Sequence, residues 1–120
     1  MAATVTLNAL FVYGTLMRGR PNHARIQSAI RIEPATLRGL LFGLPEGYPA
    51  LIEGEGIVHG ELCFFDDLQA LLGDLDVFEG EPYRRIRCEA TVEDGSRHPA
   101  WCYVISAIPS GAWPIPSGRW

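Results

Sequence analysis

Four apolar residues, Leu10-Phe11-Val12-Tyr13, run without interruption into Gly14, and a polar, basic segment holding Arg18, Arg20, Asn22 and His23 follows at once. A run with no polar residue at either alternate position fits a strand buried on both faces. Such a strand needs a layer of structure on each side. Gly14 then allows a sharp turn, in which the amides of Thr15 and Leu16 would converge on one cavity as a small anion-binding nest. An anion-holding turn at the end of a doubly covered strand predicts a second group, elsewhere in the chain, that acts on whatever is held.

The chain has 120 residues, which predicts a single domain over 1–120 with a real core. Its net charge of −4 argues against a nucleic-acid partner bound through phosphates. The densest basic cluster, Arg84, Arg85 and Arg87, is surrounded by Glu79, Glu81 and Glu89. No apolar run reaches the roughly 18–20 residues of a membrane span, and the first residues lack the basic region of a signal peptide. Cys63, Cys88 and Cys102 are odd in number, without CxxC spacing, and each sits in a strand-like run. Buried free thiols in a reducing cytoplasm are therefore expected.

Taken in order, Met1 to Asn8 reads as a lead-in and the first strand as residues 7–13. Asn22 is a plausible N-cap for a short helix with Ile26, Ala29 and Ile30 on one face, ended by Glu33-Pro34. Residues 35–42 read as a strand, Gly43 to Gly47 as a loop, and Tyr48 to Ile52 as a short edge strand. Glu53 to Gly56 reads as a turn before a longer strand over residues 57–65. Asp66 is the expected cap of an amphipathic helix carrying Leu68, Leu71, Leu72 and Leu75 and ending near Gly80. Residues 83–92 and 98–105 flank Glu93-Asp94-Gly95-Ser96 as a hairpin. The tail, with two tryptophans, is expected to pack on the body. About six strands and two short helices in irregular order point to an α+β domain whose mostly antiparallel sheet curls into a small mixed barrel.

Glu79 is the candidate for chemistry. At a helix C-terminus, with Asp76 one turn earlier and Glu81 close behind, its carboxyl is expected to titrate high if it is also partly buried. Such a carboxyl suits a general acid/base near neutral pH. The competing reading is a solvated carboxylate paired with Arg84 or Arg85. Tyr13 is read either as a ligand-orienting hydroxyl beside the nest or as core, and Tyr83 and Tyr103, in the two hairpin strands, carry packing as the default. His23, His59 and His98 show no metal-ligand spacing, so no metal is assigned. The phosphate-loop, dinucleotide and nucleophile-elbow motifs do not occur.

Taken together, Phe11-Val12-Tyr13-Gly14-Thr15-Leu16, Arg18-Gly19-Arg20-Pro21-Asn22-His23, Tyr48-Pro49-Ala50, Gly60-Glu61-Leu62, Leu75-Asp76-Val77-Phe78-Glu79-Gly80, Tyr83-Arg84-Arg85, Trp101-Cys102-Tyr103-Val104 and the closing Ile115-Pro116-Ser117-Gly118-Arg119-Trp120 resemble the gamma-glutamylcyclotransferase-like superfamily in its AIG2-like branch. The resemblance covers residues 10–120, and the loop from Arg18 to His23 is similar to the branch acting on gamma-glutamylamines. Met17 stands where that family often has a basic residue. The resemblance implies a compact mixed barrel with a cavity at its mouth and a small-molecule γ-glutamyl substrate. It further implies an α-carboxylate held by the Tyr13-Gly14-Thr15-Leu16 turn, Glu79 as acid/base, Tyr83 and Tyr103 beside the substrate, and no cofactor. The expected products are 5-oxoproline and a free amine. The alternatives are a non-catalytic module that holds a small carboxylate or other anion on the same fold, and thiol chemistry by a cysteine.

Overall fold

The computed structural model describes residues 7–120; of the expected lead-in, residues 1–6 lie outside the described residues. Strand β1 (Ala9–Val12) is followed by a single turn of 3-10 helix (His23–Ile26). Next come the long strands β2 (Arg31–Gly43) and β3 (Pro49–Phe64), helix α1 (Gln69–Glu79), the hairpin β4 (Arg84–Val92) and β5 (Arg97–Val104), and the two-residue β6 (Trp113–Pro114). The sheet runs in the order β3-β1-β5-β4-β2-β6, and β2 also pairs with β3, so the first five strands close on themselves. All pairings are antiparallel except β1 with β5, which meet in parallel at Leu10 and Trp101. The result is a closed mixed β-barrel of five strands with one helix and a 3-10 turn.

Closure gives β1 its two buried faces. Phe11 and Tyr13 point into the barrel with Leu37, Leu51, Val58, Leu62 and Val104. Leu10 and Val12 point outward, where Ile26, Cys63, Leu68, Leu72 and Leu75 cover them in a second core between barrel and helix. Leu72 and Leu75, spaced by three, are the buried stripe of α1, as the leucine periodicity requires.

Three local expectations are corrected. The segment after Pro21 makes only one 3-10 turn: Ile26 is buried, but Ile30 is 62% exposed and its N–H already donates to the Phe64 carbonyl at the start of β2. An apolar face of three residues is too short to hold a second turn against that ladder. Residues 53–56 do not end a strand. They are extra residues of β3 that bulge out where the register against β2 shifts between Arg38 and Leu40, so the short edge strand and the longer strand are one. Asp66 does not cap α1; the Asn8 side chain takes the Leu68 N–H at 3.0 Å and Asp67 takes that of Ala70 at 3.4 Å.

The hairpin β4–β5 forms as expected, with the Gly95 N–H returning to the Val92 carbonyl at 2.9 Å. The tail packs back through Trp120, which lies against the barrel core, while Trp113 stays 46% exposed. Among the described residues, no helix is long and apolar enough to cross a membrane.

Candidate active site

At the mouth of the barrel a cavity of about 260 Å³ lies between the end of β1, the start of β3, the last turn of α1 and the hairpin. It falls near the small end of the range for small-molecule sites, about 300–1,000 Å³. Tyr13, Gly14, Thr15, Leu16, Glu79, Tyr83 and Tyr103 all line it. All seven residues singled out from the sequence are therefore brought to one place.

Gly14 is required there for a reason other than the expected one. Its φ is not in the left-handed region. A Cβ at this position would instead lie 2.6 Å from Cγ of Pro49, so the turn and the start of β3 can meet only at a glycine. The turn itself is closed by the Met17 N–H donating to the Gly14 carbonyl at 3.1 Å. Among the described residues, no backbone carbonyl accepts from the amides of Thr15 or Leu16, and both residues line the cavity. The following loop braces the turn: the Asn22 N–H donates to the Thr15 carbonyl at 3.0 Å, and a ring nitrogen of His23 lies 2.9 Å from the Leu16 carbonyl. Glu61, on β3, grips the same loop through the Arg18 N–H at 2.7 Å and the Arg18 Nε at 3.0 Å. Met17 packs into the core between barrel and helix.

Glu79 is the last residue of α1, and the chain leaves the helix through Gly80 at φ 60°. That conformation favours glycine and lets the helix stop with Glu79 at the cavity. Its carboxyl is pushed up from 4.5 to about 7, and the cause is burial. The repulsion expected from Asp76 is not the reason, and the Asp76 carboxylate has its charge balanced by Arg85. Arg85 donates to both its oxygens, at 2.9 and 3.2 Å, and the Tyr103 hydroxyl donates to Oδ1 at 2.6 Å. The Arg85 contact first, and then the Tyr103 hydroxyl, hold Asp76 below the usual carboxylate range. Arg84 bonds to Ser106. Both arginines that could have paired with Glu79 in solvent are thus engaged elsewhere.

The three tyrosines keep their protons. Burial is the first cause for each and raises the phenols well above their ordinary value, with Glu79 adding to the effect. Tyr13 spends its hydroxyl on the fold, donating to the Tyr103 carbonyl at 2.7 Å and accepting from the Leu51 N–H at 3.2 Å. Tyr83 donates to the Pro49 carbonyl at 2.6 Å, which ties the hairpin to β3 across the mouth. Tyr103 reaches Asp76. In each case the ring forms cavity wall while the hydroxyl fastens two elements together.

The described cysteines are all free thiols; Cys63 and Cys102 are buried and Cys88 is half-buried. None lines the cavity. Burial pushes the Cys63 thiol up to about 12, opposite to the direction that activates a nucleophile.

The family model for gamma-glutamyl cyclotransferase, AIG2-like, matches residues 10–120. The chain belongs to this family. It is 34% identical over 120 residues to a putative gamma-glutamylcyclotransferase of Vibrio cholerae, the match covering 87% of this chain and 93% of that one. It is 35% identical over 115 residues to gamma-glutamylaminecyclotransferase of Bos taurus, covering 83% of this chain and 66% of that one. The fold is that of an AIG2-like protein from Mus musculus, with a TM-score of 0.74 at 23% identity, covering 95% and 88% of the two chains.

Within this member of the family, six further residues line the wall that were not assigned to the site from sequence: Phe11, Val12, Asn22, Tyr48, Pro49 and Phe78. Asn22 was expected to cap a helix, but its side chain turns to Thr15 instead, with Nδ2 donating to Oγ1 at 3.1 Å. Tyr48 stands at the rim, 40% exposed, its ring tilted against Tyr83 at 6.3 Å. Read locally, a proline beside an aromatic at the start of a strand marks an edge; Tyr48-Pro49-Ala50 was otherwise legible only as one of the motifs of the resemblance.

Proposed function

We propose that the protein is a gamma-glutamyl cyclotransferase that releases 5-oxoproline and a free amine from a small γ-glutamyl substrate. One observation carries the reading. A half-buried carboxyl that titrates near neutrality shares a cavity with a turn whose amides are available as donors. Membership of the family and the names of its relatives support the same chemistry.

In this reading the Thr15 and Leu16 amides hold the substrate's α-carboxylate, which folds the γ-glutamyl group back towards Glu79. The Glu79 carboxylate takes a proton from the α-ammonium. The freed nitrogen attacks the γ-carbonyl carbon, forming the lactam C–N bond, and the bond from that carbon to the leaving nitrogen breaks. Of the three ammonium protons, one stays on the lactam nitrogen. Two depart with the leaving group as its own ammonium, and Glu79 carries them across. Nucleophile and electrophile belong to one molecule, where effective molarities reach about 10⁵–10⁸ M. Orientation and one proton carrier therefore suffice. A pKa near 7 lets a single carboxyl both accept and return the proton.

The test is 5-oxoproline release from a panel of γ-glutamyl amines and γ-glutamyl amino acids. Turnover of at least one, lowered by about 10²-fold or more in Glu79→Gln with the fold kept, is expected. A panel without 5-oxoproline, or a fully active Glu79→Gln, would overturn the proposal.

A further inference from the structure

Asn22 and Thr15 sit side by side on the cavity wall, both half-buried and joined by two hydrogen bonds. In one of them Asn22 Nδ2 donates to Thr15 Oγ1 at 3.1 Å. A hydroxyl has one proton to give and two lone pairs to offer. With Asn22 occupying a lone pair, the Thr15 proton is turned elsewhere, and among the described residues no acceptor takes it. The two elements are held in this relation by the backbone bond between the same residues and by His23 against the Leu16 carbonyl.

We infer that Asn22 sets the polarity of the Thr15 hydroxyl, fixing it as a donor into the cavity. Thr15 thereby binds an acceptor-only group of the ligand through its side chain, and Asn22 is the positioning residue. The inference rests on the proposed function, in which the turn holds the α-carboxylate. It adds a directed side-chain donor to the two backbone donors of Thr15 and Leu16. A wall made of donors suits an ionised carboxylate, whose oxygens only accept. It opposes a carboxamide, whose NH₂ would face N–H and O–H groups.

Asn22→Asp is nearly isosteric and reverses the polarity. An ionised Asp can only accept, so it takes the Thr15 proton, turns a lone pair to the cavity and adds negative charge. Thr15→Val removes the hydroxyl and keeps the shape. The probes are 5-oxoproline and its α-carboxamide, 5-oxoprolinamide, titrated calorimetrically into the full chain, alongside KM and kcat for an accepted substrate. Wild type is expected to prefer the acid by about tenfold or more. Thr15→Val and Asn22→Asp should each lose about tenfold in affinity for 5-oxoproline, raising KM more than they lower kcat. Thr15→Ser, which restores a hydroxyl, should recover most of the loss. In the Thr15→Val background Asn22→Asp should cost clearly less than in wild type, because no hydroxyl remains to be turned.

Thr15→Val binding 5-oxoproline as wild type does, or Thr15→Val and Asn22→Asp acting independently, would overturn the inference. If wild type still released 5-oxoproline in that case, the cyclotransferase reading would stand without it. If wild type neither released nor bound 5-oxoproline, both would fall. Should Thr15→Val not fold, the acid-over-amide preference of Asn22→Asp decides: a preference unchanged from wild type overturns the inference.

Discussion

The Tyr103 hydroxyl donates to Asp76 Oδ1 at 2.6 Å, so a strand of the barrel wall holds the helix three residues before Glu79. Arg85, from the neighbouring strand, closes on the same carboxylate and lies over the Trp101 ring at 4.3 Å. Asp76, which reads from sequence as a charge that would disturb Glu79, is the peg that fixes the end of its helix.

Removing that peg should loosen the helix end without dismantling the barrel. Asp76 has a side chain 44% exposed, which screens the pair, so Asp76→Asn should cost only about 1 kcal/mol of stability. Because the folded-state pKa of Asp76 is depressed, its contribution is present above the ordinary carboxylate range and fades as pH falls through the folded value. Urea titrations of wild type and Asp76→Asn should converge in acid. In turnover, Tyr103→Phe and Asp76→Asn should lower kcat more than they change KM, since the carboxyl they position is the proton carrier of the proposed reaction.

The rate should follow the ionisation of Glu79. A base must be unprotonated in the free enzyme, so kcat/KM should rise with pH through a single ionisation at about 7. Glu79→Gln should remove roughly 10²–10⁴-fold of activity, the range typical of a positioned acid/base. A pH–rate profile whose acid limb lies in the ordinary carboxylate range would contradict the burial that raises this group.

The same shift has a consequence for folding. Glu79 is raised in the folded state, so the unfolded chain ionises first as pH rises, and stability is lost between 4.5 and about 7. Glu79→Gln removes that loss. Its Tm should exceed that of wild type at pH 8, and the difference should disappear near pH 4. Paired thermal melts at the two pH values check this.

Tyr13→Phe should be costly for a single oxygen. The hydroxyl serves the Tyr103 carbonyl and the Leu51 N–H in the barrel interior, and its loss strands both. A cost of roughly 1–3 kcal/mol is expected, read as a lower urea midpoint with an unchanged m-value. Chemistry should persist in whatever fraction remains folded.

Gly14→Ala should act on binding and stability together. The added methyl meets the Pro49 ring at 2.6 Å, and a proline at a strand start has little room to yield. Overpacking of this kind costs typically 1–3 kcal/mol. The turn should also open away from β3, weakening retention of 5-oxoproline in an equilibrium titration.

What could be read from residues alone was whatever repeats locally. Leu68, Leu72 and Leu75 announce α1, the turn-forming cluster Glu93-Asp94-Gly95-Ser96 announces the hairpin, and the unbroken run from Leu10 to Tyr13 announces a strand with two covered faces. Local pattern failed where a single motif serves two structures. Glu53-Gly54-Glu55-Gly56 has the composition of a turn, yet inside a strand paired along both flanks it is accommodated as a bulge. Asn22 has the chemistry of a cap, but the hydroxyl it meets belongs to Thr15, seven residues earlier, and only the folded loop reveals that. Glu79 was legible as a raised carboxyl partly through Asp76, whose charge proves to be paired with Arg85. The operative cause, burial under the barrel mouth, depends on elements that arrive from four parts of the chain.

Strand β1 has no solvent side, and this bears on how such a protein can vary. Its inward residues share a core with the far wall of the barrel, and its outward residues share one with the helix that carries Glu79. A change at Phe11 should be felt through the barrel core, and a change at Val12 through the core beneath the helix. Neither half of the cavity can drift without displacing the other. Tyr48, 40% exposed at the rim, belongs to neither core, so a change there leaves both halves of the cavity as they are.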